Sequence, residues 1–146
     1  MNDEEFNRDR KTFLAACPIR HRSRIVEALT RLDGFSKAHL GMLTVAPQEQ
    51  LIQPSVGFNL SSRNSMLWKA YAVKIPKLEV LAHVSRTLTG TEYEVFLTHW
   101  RRIPGKAHAL QTKGARPMIN LVAVADSAVW SRLEACLEWV TALGPV

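Results

Sequence analysis

The stretch PSVGFNLSSRNSMLWKAYAVKIP, residues 54–76, decides the fold class. Within it, SVGFNL and MLWKAYAVKI alternate apolar with polar or basic residues, in short runs bounded by Pro54, Ser61-Ser62 and Pro76. A period of two sends successive side chains to opposite faces, so the alternation predicts half-buried strands.

Most of what precedes Pro54 repeats at the helical period. A first helix is capped by Asn2 or Asp3, carries Asp3, Glu4 and Glu5 early and Arg8, Arg10 and Lys11 later, and so suits the helix dipole. Phe6, Phe13, Leu14 and Cys17 give it a narrow apolar stripe, which Pro18 stops. A second helix from about residue 20 to 32 buries Ile25, Val26, Leu29 and Leu32, with Asp33-Gly34 as its stop. Ser36 then caps a short segment through Leu40 and Leu43, so residues 22–53 carry the outline of a helix-turn-helix. GMLTVA (41–46) serves equally as a strand, and QEQLI (48–52) is short and acidic for a recognition helix.

Beyond the strands, Pro76 opens a predicted helix with Leu78, Leu81, Val84 and Leu88 on one face and Gly90 as its stop. TEYEVFLTHWRRI (91–103) alternates as a further strand, Pro104-Gly105 turns the chain, and PMINLVAVA (117–125) reads as a central strand covered on both faces. Asp126-Ser127 caps a last, amphipathic helix stopped by Gly144-Pro145. Its apolar sector, holding Trp130, Leu133, Leu137 and Trp139, is wider than the ~100° stripe of a surface helix. Burial against the sheet is the first reading of that sector, and a homodimer or partner interface the second.

The order of elements predicts an α+β fold: a mainly antiparallel sheet of four to five strands packed with helices, a helical N-terminal third and a C-terminal amphipathic helix. With 146 residues, 47% of them hydrophobic, the chain has the size of one domain, residues 1–53 forming a helical subregion and residues 55–146 the sheet-plus-helices body. No stretch approaches 18 uninterrupted apolar residues, and the acidic start MNDEEFNRDRK is unlike a signal peptide, so a cytoplasmic, prokaryotic protein that does not engage membranes is expected. Cys17 and Cys136 share no CxxC spacing and are expected as buried free thiols.

Charge is unevenly placed. Residues 61–116 hold ten Lys/Arg against three Asp/Glu, while residues 1–60 hold eight against seven and residues 117–146 one against three. A basic middle favours an anionic partner. FLTHWRRIPGKAHALQTKGAR (96–116) carries five cations and no acid, and its loop of about a dozen residues is long beside a usual connection of about 4–6. Trp100, Arg101, Arg102, Lys106, Lys113 and Arg116 are therefore candidate nucleic-acid-binding residues, the tryptophan by stacking and the cations on phosphates. Arg20, Arg22, Arg24 and Lys37 form a second patch if the N-terminal helices pack on the same side.

Motifs for catalysis are missing. There is no phosphate loop, dinucleotide fingerprint or nucleophile elbow, and the five histidines form neither HxxxH nor a Cys/His cluster, so neither a metal nor a cofactor is expected. Glu92 and Glu94, one residue apart, read as solvated strand residues rather than a Mg²⁺ site. Three readings follow: a nucleic-acid-binding regulatory or accessory protein, with DNA favoured over RNA; a non-catalytic interaction module (chaperone, inhibitor or immunity-type partner) for an acidic protein; and, weakest, an enzyme assembled from scattered residues.

Overall fold

The computed structural model describes residues 3–46, 54–105 and 116–145, with side chains from residue 7. Its centre is the pair read from the opening stretch: β2 (Ser55–Leu60) and β3 (Ser65–Tyr71) run antiparallel, joined by a single 3-10 turn (Ser61–Arg63). Around them β1 (Leu43–Val45), β4 (Lys77–Val80) and β5 (Met118–Asn120) complete a five-stranded sheet in the order β1-β2-β3-β4-β5, every pair antiparallel. The helices are α1 (Asp3–Ala16), α2 (Arg22–Ala38), the single turn α3 (Val84–Thr87), α4 (Gly90–Arg101) and α5 (Ser127–Thr141). The expected α+β class, with a helical N-terminal third and a C-terminal helix, is what the chain forms.

Strand pairing assigns the two faces. Val56 lies opposite Ala70, Ala70 opposite Leu78, and Leu78 opposite Ile119, all four buried on the helix-covered side with Phe58, Trp68 and Val80. On the other side Lys69 lies opposite Glu79, and Tyr71 opposite Lys77. The register slips between Phe58 and Asn59, leaving Leu67 as an extra residue in β3, the mark of a bulge. At Gly57 the strands approach so closely that a Cβ would collide with the Trp68 carbonyl oxygen, a backbone atom with no easy retreat. Glycine is required there for packing, not for a special φ.

Several elements depart from the sequence expectation, each for a physical reason. Helix α2 does not stop at Asp33-Gly34 but runs on to Ala38. Burial of Phe35 and Ser36 offsets the roughly 1 kcal/mol that a mid-helix glycine costs. Ser36 also accepts from the Trp68 indole at 2.9 Å while donating to the Leu32 carbonyl, and Asp33 pairs with Lys37 at 3.1 Å and Arg10 at 3.6 Å. Residues 43–45 are strand β1, so among the described residues the helix-turn-helix outline is absent; its third segment, near residues 48–52, lies outside them.

Pro76 opens strand β4, not a helix. Leu78 and Val80 reach the core by strand alternation, and Leu81 then breaks both periods with a left-handed φ of 54°. The alternating TEYEVFLTHWRRI is helix α4, whose buried Tyr93, Phe96, Leu97 and Trp100 follow the i, i+3, i+4, i+7 spacing. A capping box fixes its start: Thr89 Oγ1 accepts from the Glu92 backbone N–H at 3.3 Å, and Glu92 accepts from the Thr89 N–H at 2.9 Å. PMINLVAVA is not a central strand. Three of its residues pair only with β4 at the sheet edge, after which Leu121–Ala125 form a 3-10 segment, started by the Asn120 side chain accepting from the Val122 N–H.

Helix α5 starts as read, Asp126 accepting from the N–H groups of Ala128 and Val129. Leu133, Cys136, Leu137 and Val140 are fully buried in a core shared with α4 and the sheet. Both cysteines are free and buried, and burial pushes the Cys17 thiol up to about 11 and the Cys136 thiol to about 12. Neither is then a thiolate at neutral pH. A chromogenic thiol reagent is expected to react slowly with the native protein and with both thiols in denaturant; a rapidly reacting native thiol contradicts this placement. No described helix is long and apolar enough to cross a membrane.

Candidate functional site

The cations expected to act together divide between two places. The first is one end of the helical layer. Pro18 ends the N-terminal helix, the single 3-10 turn Ile19–His21 follows, and α2 begins at Arg22, so Arg20 lies just before its first turn and Arg22 and Arg24 within it, with no acid among them. Three like charges at a helix N-terminus oppose the macrodipole, and helix plus arginines together make a positive end. Helix α4 finishes with Arg101 and Arg102, the order its own dipole favours.

Pro104 and Gly105, just past Arg102, line a groove of about 540 Å³ with Arg24, Asn120, Val122 and the first turn of α5. Arg20, Arg24, Arg101 and Arg102 are exposed, and among the described residues none of them pairs with a carboxylate within 4 Å. Asp126, the acid on this groove, is occupied in capping α5. His99, one turn back from Arg102, is half-buried against Trp139 with ring centroids 5.6 Å apart. Desolvation, reinforced by Arg102, lowers its pKa and keeps the ring neutral at pH 7.

Other expected contacts do not belong to this surface. Trp100 is completely buried, stacked on Phe96, because the helix turns it inward where a strand would have left it at an exposed end. It cannot stack on a base. Lys37 sits thirteen residues beyond Arg24 on α2, about 20 Å away at 1.5 Å per residue, and is tied to Asp33. Arg116 lies on the open face of the sheet, paired with Glu79, and this bond raises its pKa. Lys106 and Lys113 lie outside the described residues. Of the expected interface on α5, Leu133 and Leu137 are spent on the protein's own core and Trp130 and Trp139 pack against it, while exposed positions such as Ser131, Arg132 and Glu138 are polar.

The second place went unread in the sequence. On the open sheet face, Lys69, Tyr71, Glu79 and Arg116 converge in a cavity of about 690 Å³ with His83 and Arg86. Glu79 is fully buried and Lys69 is 2% exposed. Tyr71 donates its hydroxyl to Glu79 Oε1 at 3.0 Å, Arg116 Nε donates to Glu79 Oε2, and the Lys69 ammonium lies 5.5 Å from the centre of the Tyr71 ring. The available signal was a lysine and a glutamate each flanked on both sides by apolar residues, in WKA and LEV. Recognising them as partners needs the register between two strands.

Among the described residues no group of three or more His, Cys, Asp or Glu is placed to hold a metal ion. No known protein family matches the chain, and no curated protein or solved structure resembles it significantly.

Proposed function

We propose that this protein binds nucleic acid, DNA in the first instance, through the phosphate backbone along the α2–α4 end. One observation carries the reading: Arg24 and the turn that follows Arg101 and Arg102, Pro104-Gly105, line one groove, and among the described residues the exposed Arg20, Arg24, Arg101 and Arg102 pair with no carboxylate within 4 Å. Phosphate contacts of this kind position a duplex without reading its bases, so sequence-tolerant binding in a regulatory or accessory role follows.

The test is fluorescence anisotropy with a labelled duplex across a salt series. With about four to five phosphates neutralised, the slope of log K against log salt is expected near −4, each neutralised phosphate contributing about −0.9. Arg101→Ala with Arg102→Ala should flatten the slope by roughly two and weaken binding of every sequence alike, whereas Lys37→Ala should leave it unchanged. No retention of duplex or single strand at low salt would sink the proposal.

A second reading has its own observation. Ile19, 81% exposed, projects directly beside Arg20, which suits an apolar anchor ringed by cations on an acidic protein. A complex that survives high salt and is lost on Ile19→Ser favours this interaction-module reading over the first.

A further inference from the structure

We propose that Ile19 is a wedge: it enters a base step of duplex DNA from the minor groove, unstacks it and kinks the duplex, while the arginines that follow it in the chain hold the backbone. The wedge rests on the phosphate-backbone reading and adds to it a bent duplex and a second contact, the tip that joins α1 to α2.

The tip is built to protrude and to be rigid. Ile19 is the most exposed large apolar side chain among the described residues. Burial fixes the chain on both sides of it, through Phe13 and Cys17 before it and Ile25 and Leu29 after it. Between these anchors Pro18 holds φ at −57°, the His21 N–H donates to the Pro18 carbonyl at 3.2 Å, and the Arg22 N–H donates to the Ile19 carbonyl. Little conformational freedom is therefore lost when the isoleucine inserts.

The surroundings select the occupant. No acid stands between Asp9 and Glu27 in the chain, and Glu27 is bonded to Arg31 at 3.2 Å. Arg20 and Arg24 are exposed and pair with no carboxylate within 4 Å among the described residues, while the buried Nε of Arg22 has no hydrogen-bond partner there. From residue 15 to residue 24 the other exposed positions are Ala15, Ala16, Arg20, Ser23 and Arg24, so one branched apolar side chain stands among small and cationic residues. An anchor on a protein surface is more often a tryptophan, tyrosine or arginine within a packed patch. A single apolar wedge accompanied by basic residues is the arrangement with which architectural proteins part a base step.

Shape then selects the groove. A helix with its side chains is about 10–12 Å across and needs the major groove, about 12 Å wide, whereas a single turn ending in one isoleucine fits the minor groove, about 6 Å wide. The negative potential of that groove also attracts arginine. Insertion removes the isoleucine from water, which offsets the lost stacking, and the kink brings more of the phosphate backbone onto the protein.

A duplex of about 25 bp with a central TA step, a kind easily unstacked, tests this when it carries a fluorescence donor and acceptor at its ends and 2-aminopurine at the step. Wild type is expected to raise energy transfer, as a bend of roughly 20–90° does, and to raise 2-aminopurine fluorescence. Ile19→Ala, an exposed change that spares folding, should lose both signals and bind about tenfold more weakly, the value of roughly two buried methylenes. It should still bind in a salt-dependent way, and Ile19→Met should restore the bend. If wild type binds while the duplex stays straight and stacked, or if Ile19→Ala bends it equally, the wedge is overturned and the phosphate-backbone reading stands. No duplex binding at low salt overturns both. Binding of poly-glutamate that depends on Ile19, with duplex signals unchanged by Ile19→Ala, makes the residue an anchor on an acidic protein and likewise overturns the wedge.

Discussion

Trp100→Ala is expected to bring the protein close to unfolding, at a cost of about 3–5 kcal/mol, the range for emptying a large aromatic site in a core. The side chain is fully buried at the inner face of α4, stacked on Phe96 with ring centroids 5.8 Å apart. A domain of this kind has about 5–15 kcal/mol in total, so the loss takes a large share of it. Trp100→Phe should be far milder, about 1–2 kcal/mol, because it keeps most of the ring volume. It also gives up an indole N–H that has no partner among the described residues. Urea midpoints for the three proteins decide the matter. If Trp100→Ala unfolds at the wild-type midpoint yet loses nucleic-acid affinity, the tryptophan is a surface stacking residue and the core assignment is wrong.

That residue also shows where the sequence was legible. Segments with a single consistent period came through: the alternation of β2 and β3, the capped start of α5 and the proline-stopped α1. Ambiguity arose where two periods fitted one stretch. In TEYEVFLTHW, Tyr93 and Leu97 belong to both the strand and the helix pattern, and only Phe96 and Trp100 discriminate. The T-x-x-E preceding them was the deciding local signal, since a capping box has no counterpart in a strand. KLEV and PMINLVAVA failed for a different reason. A short apolar run is consistent with either state until its neighbours are known, and β4 is a strand because β3 pairs with it, Ala70 opposite Leu78.

The sites divide along the same line. Clustered cations were visible in the chain, but which of them share a surface was not: Arg24 and Arg102 are far apart in sequence, and the folded chain brings the turn after Arg102 to Arg24, whereas Arg116 is carried to the opposite side of the sheet. The Lys69–Glu79 pair is harder still. It exists only as a register position, and register is set by the buried face rather than by the charges themselves.

Arg63→Ala should destabilise the fold by about 3–5 kcal/mol, the range for breaking a buried ion pair from one side. With its side chain 4% exposed, Arg63 ties four segments together: Nη1 and Nη2 each donate to a Glu92 carboxylate oxygen at 2.8 Å, Nη1 also to the Thr87 carbonyl at 2.8 Å, and Nε to the Gly144 carbonyl at 2.6 Å. Removing the guanidinium leaves two carbonyls and a carboxylate unanswered at once, and loosens the chain end after α5 from the start of α4. The pair also makes an acid-sensitive contribution whose direction is fixed. The Arg63 hydrogen bonds, with the Thr89 backbone N–H behind them, hold the Glu92 carboxyl down to about 2, against an ordinary 4.5. A depressed folded-state pKa means that the unfolded chain binds the proton first, so the contribution is complete above about pH 4.5 and is lost as pH falls through 2. Glu92 is 22% exposed, so solvent trims the effect to roughly 1–3 kcal/mol. Urea unfolding of wild type and Glu92→Gln at pH 7 and pH 3 isolates it: other carboxylates titrate in both proteins, so the stability gap between the two should narrow at pH 3. A gap that stays constant would show that Glu92 is not held by Arg63 and that the clamp is only a surface contact.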